Sequence, residues 1–333
     1  MALAFFKKEN SRNSIFQTYD IKNYSVIDLI QAGIYFLSEM HQFSLKYLRC
    51  VNCYGRLDTE ILEQSHEIEE GFLVCNNCGN KYPIISKIPI LYSNLTSYLS
   101  NRAQLGGYLM TRAKNEKIKS FVKNSLKKIK NSNSDVTPIE KRWVVTYKNS
   151  IKSKFYSHIK NSLKKLPKSV LVLEHGCSIG YVTKYLATKH DTVFGIDQSF
   201  FAIKEAKQNH FKNLDFFVAN SLNHPFGKNK FGLIVGLNLL ELIEPFDLLD
   251  VLSKQASDVI LISDPYDFER GINSVKQTID SQSLRSELEK RGFIISSNTK
   301  KPKFLPWKLN INSRLDLHYK VDLIIAKNNK KTF

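Results

Sequence analysis

The chain has 333 residues, of which 42% are hydrophobic and 24% are charged. This length predicts about two domains, and the apolar content excludes a wholly disordered chain because it suffices for a buried core. The net charge of +18, with a pI near 9.5, favours an anionic partner such as phosphate, acidic protein or anionic lipid.

The N-terminal region, 1–42, is predicted to be a helical segment. Its apolar stretch from Val26 to Leu37 is interrupted by Asp28 and Gln31, and it is shorter than the roughly 20 apolar residues of a membrane span. The first ten residues lack the apolar core of a secretory signal. We therefore expect no membrane span and a cytoplasmic, reducing location, where paired cysteines favour metal over disulfide.

The second region, 43–92, contains four of the five cysteines in two C-x-x-C pairs, Cys50/Cys53 and Cys75/Cys78. Zinc takes four thiolates in a tetrahedron, and each C-x-x-C turn offers two that converge on one point. The pattern predicts a zinc ribbon with a structural Zn²⁺, because four thiolates leave no open coordination position. Two redox dithiols or four buried thiols are the alternatives.

The residues around these cysteines carry a family resemblance. The segment Leu45-x-x-Leu-Arg-Cys-Val-Asn-Cys-x-Gly55 is followed by Cys75-Asn-Asn-Cys-Gly-Asn-Lys-Tyr-Pro-Ile84 and Ile88-Pro-Ile-Leu91. Over about fifty residues it resembles the small zinc-ribbon proteins that act as activator subunits of tRNA, rRNA and release-factor methyltransferases. Lys87 replaces the usual glycine. The resemblance implies a helper module that shields the catalytic domain or contacts substrate.

The third region, 93–167, is predicted to be a basic helical linker, with helical spacing over Ile118–Leu126 and Val144–Leu163 and a polar break at Asn131–Asp135. Between Asn101 and Lys168 the chain holds 18 Lys or Arg and only 3 acidic residues, so this window supplies +15 of the +18. The window is expected to contact RNA or a ribosome-associated protein. The alternative is a Lys-rich proteome, since Lys, Asn and Ile are abundant throughout.

The fourth region, 168–328, alternates apolar strands with helical patterns such as Tyr181–Lys189 and Phe201–Asn209, which indicates an α/β fold with a parallel sheet and helices on both faces. The predicted strands are Val170–Leu173, Thr192–Ile196, Leu214–Val218, Leu233–Leu237, Val259–Ile262, Phe293–Ile295 and Leu317–Ala326. The last two are expected to be joined by a long Lys/Pro/Trp loop.

An acid-x-Gly-x-Ser-x-Gly turn, Glu174–Gly180, follows the first of these strands, and Asp197 ends the second strand 23 residues beyond Glu174. Glycines let the backbone approach a ligand, and an acid after the second strand can accept hydrogen bonds from two ribose hydroxyls. Over about 160 residues this arrangement resembles class I S-adenosylmethionine methyltransferases, which implies a Rossmann-like seven-stranded sheet. Glu174 would attract the cationic methionine end of the cofactor.

The resemblance also implies which residues bind S-adenosylmethionine. The third family motif is similar to Phe217–Phe226, with Asn220 in place of an acid that contacts the adenine amine, and the motif of the fourth strand is similar to Phe231–Glu241. A dehydrogenase would need three glycines with the third inside the helix, and a domain that lost activity remains an alternative. The predicted cofactor-binding residues are Glu174, Gly176, Ser178, Gly180, Asp197, Gln198, Asn220, Ser221 and Asn238.

The acceptor pocket is predicted to be lined by Asp264, Tyr266 and Asp267, because this segment follows the fifth strand at the edge of the sheet where ligands bind. A loop that merely turns the chain is the alternative. Among other residues of interest, His175 could act as a base or pack, Cys177 could substitute for a small residue beside the cofactor, and Trp307 could form an aromatic lid or pack under the last hairpin.

Three functions are compatible with these patterns. The first is a methyltransferase for RNA or a translation-associated protein, favoured by the ribbon and the basic helices. The second is a methyltransferase for a small molecule, a lipid or a protein histidine, and the third is a non-catalytic cofactor-binding module.

Overall fold

A computed structural model describes residues 3–6, 17–20, 42–64, 68–130, 134–208, 211–269 and 275–329. The chain divides into two compact units, 1–38 and 39–333. The second unit contains the predicted ribbon, linker and catalytic region together, so these three segments form one body.

Within the first unit, two short strands pair antiparallel, β1 (Leu3–Phe6) and β2 (Gln17–Asp20), with Leu3 opposite Asp20. The prediction of a helical segment over 1–42 is therefore wrong for these two stretches, which contain aromatic and β-branched residues that favour strands. The apolar stretch from Val26 to Leu37 lies outside the described residues.

The second unit begins with a short helix, α1 (Gln42–Leu45), followed by four strands of the ribbon. These are β3 (Leu57–Gln64), β4 (Ile68–Cys75), β5 (Lys81–Ile85) and β6 (Ile88–Leu91), each paired antiparallel with the next. The narrow turn between β5 and β6 uses Ser86 and Lys87, both with positive φ (51° and 68°), where the related family usually has a glycine at the second position.

Residues 168–328 form eight strands. Seven lie side by side in the order β12-β14-β11-β10-β7-β8-β9, in which only β14 runs antiparallel to its neighbours, and the eighth, β13 (Leu305–Asn312), pairs with β14. The seven-stranded Rossmann-like sheet predicted from the sequence is therefore confirmed. Its strands are β7 (Leu171–His175), β8 (Thr192–Asp197), β9 (Leu214–Ala219), β10 (Phe231–Leu237), β11 (Ala256–Asp264), β12 (Phe293–Ile295) and β14 (Leu315–Asn328).

The ribbon and the catalytic sheet are continuous. Strand β6 pairs parallel with β9, with Ile90 opposite Val218 and Leu91 opposite Ala219, so one 12-stranded sheet runs through both. An unpaired edge strand is a liability that proteins usually cover. Here the ribbon covers the β9 edge of the catalytic sheet with backbone hydrogen bonds.

Helices of the linker cover one face of the sheet. They are α2 (Leu95–Leu99), α3 (Ala103–Arg112), α4 (Glu116–Lys127), α5 (Thr137–Ser150) and α6 (Lys154–Lys164). The helix predicted over Val144–Leu163 is divided, because the chain turns at residues 151–153. Buried residues of this layer, such as Phe155 and Ile159, belong to the same core as Val172 of β7.

The same face also carries α7 (Tyr181–Ala187) and α8 (Phe200–Ala206), and the opposite face carries α9 (Pro245–Gln255) and α10 (Ser281–Lys290). Residues 220–230, between β9 and β10, form turns and no helix. Part of the second face is instead covered by the segment before the ribbon, because Phe43 and Tyr47 pack on Phe194 with ring centroids 5.9 and 5.4 Å away.

The long loop predicted before the last strand is largely a strand, β13 (Leu305–Asn312), which forms a hairpin with β14. Alternating burial of Leu305, Trp307 and Leu309 explains why this Lys/Pro/Trp segment is extended, since strands alternate their faces. None of the helices in the described part of the chain is both long and apolar enough to cross a membrane.

Candidate active site and zinc site

The four paired cysteines converge as predicted. Their sulfur atoms all lie within 4.8 Å of one another, with 3.6 Å between Cys50 and Cys78 and 3.4 Å between Cys53 and Cys75. Ligands about 2.3 Å from zinc in a tetrahedron are about 3.8 Å apart, so the donor set fits Zn²⁺. These residues form the structural zinc site of the ribbon.

Tyr82 contacts one of these cysteines and the backbone beside it. Its buried hydroxyl lies 3.0 Å from the Cys50 sulfur and accepts a hydrogen bond from the Val51 backbone N–H at 3.1 Å. Burial raises the pKa of Tyr82 above its usual value, so the hydroxyl stays protonated and can donate a hydrogen bond to the Cys50 thiolate. Tyr82 belongs to the Tyr-Pro-Ile segment on which the ribbon's family resemblance rests.

The glycine turn after β7 has a backbone that only small residues allow. Gly176 and Gly180 have φ values of 62° and 71°, and a Cβ atom would lie 2.3 Å from a Leu239 methyl carbon at the first and 2.6 Å from the Phe216 ring at the second. Ser178 also has positive φ, 48°. The backbone of this turn therefore packs closely against Leu239 and Phe216 on one side, and Gly176 and Ser178 line a cleft on the other.

Asp197 fixes the turn from the end of β8. One of its carboxylate oxygens accepts a hydrogen bond from the Ser178 N–H at 2.9 Å, and the other accepts one from the Ser199 N–H at 2.8 Å. Each oxygen of a carboxylate has a second lone pair, so Asp197 can still accept two ribose hydroxyls. This is the geometry that the proposed ribose contact requires.

Glu174 lies in the floor of a cleft beside the glycine turn and is almost fully buried. Its carboxylate accepts a hydrogen bond from the Thr183 hydroxyl at 2.5 Å. Burial raises the pKa of Glu174 to about 8, because a lone carboxylate loses hydration there. A cationic ligand group beside it would stabilise the ionised form, which suits the ammonium and sulfonium groups of S-adenosylmethionine.

Asn238 lines the same cleft as Glu174. It follows β10 with φ of 57°, and its side-chain oxygen accepts a hydrogen bond from the Ser263 hydroxyl at 2.9 Å. The Asn238 backbone N–H donates to the Ser263 carbonyl at 2.7 Å. The structure thus brings Glu174, Gly176, Ser178 and Asn238 to one cleft, with Asp197 adjoining it through Ser178.

A wall of aromatic residues closes this cleft, and of these the sequence analysis considered Trp307 alone, as an aromatic lid or a packing residue. We call Tyr147, Phe155, Tyr156 and Trp307 the aromatic roof. The space within the cleft is about 50 Å³, below the roughly 300–1,000 Å³ of ligand pockets. The roof belongs to α5, α6 and β13, whereas the floor follows β7 and β10.

Five of the predicted cofactor residues do not line this cleft. Gly180 and Asp197 adjoin it through the glycine turn, whereas Gln198, Asn220 and Ser221 lie further away in sequence from the turn. The Gln198 carbonyl accepts a hydrogen bond from the Tyr98 hydroxyl at 2.8 Å, and the Asn220 side-chain oxygen accepts one from the Leu222 N–H at 2.8 Å. Ser221 is buried beside Asn220. Their contact with the adenine end of the cofactor stays a prediction. Through Tyr98, helix α2 of the linker reaches the loop that follows β8.

The predicted acceptor residues have mainly internal partners. Asp264 is fully buried, and its oxygens accept hydrogen bonds from the backbone N–H groups of Leu240 and Tyr266, at 2.9 and 2.8 Å. Burial and the neighbouring Glu241 carboxyl raise the pKa of Asp264 well above its usual value. Asp264 therefore ties the loop after β10 to the loop after β11.

Tyr266 belongs to the same internal network. Its hydroxyl donates to Asp322 at 2.9 Å, and Asp322 pairs with the buried Arg285 guanidinium at 2.7 Å. Asp267 is half-buried. None of the three lines the cleft described above, so their contact with an acceptor stays a prediction.

The remaining residues of interest are also located. His175 is fully buried with its Nε2 2.8 Å from the Gln255 side-chain oxygen, and burial lowers the pKa of His175 to about 3. The ring therefore packs in the core. Cys177 lines the cleft behind the turn, and Trp307 packs within the roof, where it is 2% exposed.

Comparisons with known proteins agree with this geometry. A family model described as a methyltransferase domain matches residues 172–258, and one described as Trm112p-like protein matches residues 44–85. No curated protein matches the chain. Magnesium protoporphyrin IX methyltransferase from Synechocystis PCC 6803 is a similar solved structure, with 16% identity, 55% of this chain and 80% of that chain covered, and a TM-score of 0.40.

Two further solved structures are similar. One is in the complex between the Haloferax volcanii Trm112 methyltransferase activator and the putative methyltransferase, with 12% identity, 56% and 90% coverage and a TM-score of 0.40. The other is the N-methyltransferase NodS from Bradyrhizobium japonicum WM9, with 17% identity, 53% and 97% coverage and a TM-score of 0.41.

The strand order, the acid–glycine turn and the matched methyltransferase model define the class of this protein, which is an S-adenosylmethionine-dependent methyltransferase of class I. Its particular feature is a Trm112p-like zinc ribbon in the same polypeptide, joined to the catalytic sheet by strand β6.

Proposed function

We propose that this methyltransferase acts on RNA. The observation that carries the proposal is the arrangement of α5 and α6, which turn aromatic side chains toward the cofactor cleft and lysines toward solvent. The ribbon supports it independently, since it resembles the activator subunits of tRNA, rRNA and release-factor methyltransferases. Four thiolate ligands also fit a reducing compartment such as the cytoplasm.

Four lysines lie within three residues of the roof's aromatic residues in the sequence. We call Lys148, Lys152, Lys154 and Lys308 the rim lysines, and all four are exposed. Lys148 and Lys308 form ion pairs with Glu205 and Asp316, both at 2.8 Å. Such exposed pairs contribute little stability, so these cations remain available to the phosphates of a nucleic acid.

When bound, S-adenosylmethionine supplies an electrophilic methyl carbon. Glu174 and Asp197 are proposed to hold its methionine and ribose ends, while Asn238 orients the acceptor atom. Alignment and exclusion of water in the closed cleft are the contributions of the protein.

Methyl transfer from labelled S-adenosylmethionine to total RNA tests the proposal. The RNA is taken from cells in which the gene has been deleted, so that its acceptor sites are unmodified. We expect label in nucleosides after digestion, none with Asp197→Ala, and a strong decline in rate between 50 and 200 mM salt.

Label in ribosomal protein or a small molecule, with RNA unlabelled, would contradict the RNA proposal and leave the enzyme class intact. Cofactor binding without label in RNA, protein or metabolite extract would instead favour a non-catalytic module.

A further inference from the structure

The aromatic roof is built from parts that the methyltransferase family model does not match. That model covers residues 172–258, whereas the roof comes from α5, α6 and β13. Trp307 stacks on Tyr147 with an interplanar angle of 15° and ring centroids 6.3 Å apart, and its ring centroid lies 5.4 Å from that of Phe155. Three separate elements therefore meet in one aromatic surface over the cleft.

Two serines fasten these elements together. The Ser150 hydroxyl oxygen accepts a hydrogen bond from the Asn310 N–H at 2.9 Å, and the Ser153 hydroxyl oxygen accepts one from the Lys308 N–H at 3.2 Å. The corner between α5 and α6 is thus attached to the edge of β13. These two hydrogen bonds hold the edge of β13 at Lys308 and Asn310, directly after Trp307.

The four residues of the roof differ in how far they are buried, which indicates two structural roles. Trp307 and Phe155 are 2% and 1% exposed, so they hold the surface in shape from behind. Tyr147 and Tyr156 are only half-buried and line the cleft. The tyrosine rings are therefore the parts of the roof that a ligand in the cleft can contact.

An aromatic surface of this kind could bind a cation or a flat, neutral ring. The surrounding charge decides between them. Glu174 is the only carboxylate among the residues that line the cleft, and it is assigned to the cofactor. The exposed rim lysines lie on the segments that carry the roof residues and in the turn between α5 and α6. The positive charge around the roof would therefore disfavour a cationic acceptor and attract a flat base on a phosphate backbone.

We propose that Tyr147 and Tyr156 form the acceptor subsite and that this subsite takes an unpaired nucleobase of single-stranded RNA, stacked beneath the aromatic roof. The rim lysines then bind the adjoining phosphates, and Trp307 is a positioning residue that holds Tyr147. This inference rests on the proposed RNA methylation and specifies how that substrate enters the site. Unpaired bases stacked on aromatic rings are how proteins commonly bind single-stranded RNA.

The test uses the full chain with saturating S-adenosylhomocysteine and four labelled single-stranded RNA dodecamers, one of each base. Binding is measured by fluorescence anisotropy. We expect Tyr147→Leu and Tyr156→Leu to weaken binding of at least one dodecamer about tenfold, whereas the Phe variants stay within about threefold of wild type. Tyr54→Leu, an exposed aromatic of the ribbon, is the matched control and should bind like wild type.

A second measurement guards against variants that fold poorly. In a Trp143→Phe background Trp307 is the remaining tryptophan, and its emission should change when a dodecamer stacks on Tyr147. Unchanged emission on a bound dodecamer, or leucine variants that bind all dodecamers like wild type, would overturn the subsite and leave RNA methylation standing. Absence of binding to any dodecamer, with label found only in protein, would overturn both proposals.

Discussion

Leu91 of the ribbon lies beside Ala219 of the catalytic sheet in a parallel ladder, and Ile90 lies beside Val218 in the same way. The chain then continues into α2, where the Tyr98 hydroxyl donates to the Gln198 carbonyl in the loop after β8. A single stretch of backbone thus joins the zinc site, the edge of the catalytic sheet and the cofactor site. We expect the ribbon and the catalytic region to unfold together.

Loss of zinc tests this expectation. Cys75→Ser should abolish zinc binding and lower the unfolding temperature of the whole chain by about 10 °C or more, because metal binding contributes directly to folding. Calorimetry should give one transition that moves as a unit. Cys177→Ser, which alters the cysteine outside the cluster, should keep one zinc per chain. Two separate transitions, with the larger one unmoved by Cys75→Ser, would contradict a common folding unit.

Tyr82→Phe removes the hydroxyl that bridges the Cys50 sulfur and the Val51 N–H. We expect zinc affinity to fall about 10- to 100-fold, as for other residues that support metal ligands. Competition with a chromophoric chelator measures the change. Tyr54→Phe serves as the control, because the Tyr54 side chain is 56% exposed. Equal affinity in the two variants would show that the Tyr82 contact contributes nothing to metal binding.

Asp197→Ala should weaken binding of S-adenosylmethionine about 100-fold, because two hydrogen bonds to a charged group are lost. Asp197→Asn, which keeps the shape and some of the acceptors, should lie between this variant and wild type. Isothermal calorimetry measures both. Asp191→Ala is the control, since Asp191 pairs with Lys168 on the surface. If Asp197→Ala binds the cofactor as wild type does, the ribose assignment is wrong.

The stability of the cofactor-free protein should depend on Glu174. Burial raises the pKa of Glu174 from 4.5 to about 8 in the folded chain, so the folded chain binds this proton more tightly than the unfolded chain. The stability from this group is therefore complete below pH 4.5, falls as pH rises, and stays constant above about pH 8.

Glu174→Gln cannot ionise, so its unfolding temperature should exceed that of wild type by an amount that grows from pH 5 to pH 8. Thermal unfolding at several pH values measures the difference. Glu116→Gln, at a side chain that is 80% exposed, should show no such trend. A difference for Glu174→Gln that is independent of pH would mean that the carboxylate has a partner which stabilises its charge.

Several parts of the site follow from short sequence patterns. The two C-x-x-C pairs converge because each turn fixes two sulfur atoms locally. The alternation of strands and helices predicts the parallel sheet, because the spacing of hydrophobic residues distinguishes one kind of element from the other. The Glu174–Gly180 turn and Asp197 meet at one edge because parallel strands end there.

For other residues the sequence left the surroundings open, because these depended on distant partners. Asp264 looked like an acceptor residue from its place after β11, yet its carboxylate binds the Leu240 and Tyr266 backbone. Trp307 is positioned by Tyr147 and Phe155, which lie about 150 residues earlier in the chain.

The sequence by itself determined the two paired-cysteine turns, the glycine turn and the alternation of strands and helices, because each depends on residues within one element or between successive elements. The tertiary structure alone decided that β6 completes the edge of the catalytic sheet and that the linker helices supply an aromatic roof. Both features arise from pairing between segments far apart in the chain, where many partners are compatible with the local pattern and only simultaneous packing selects one.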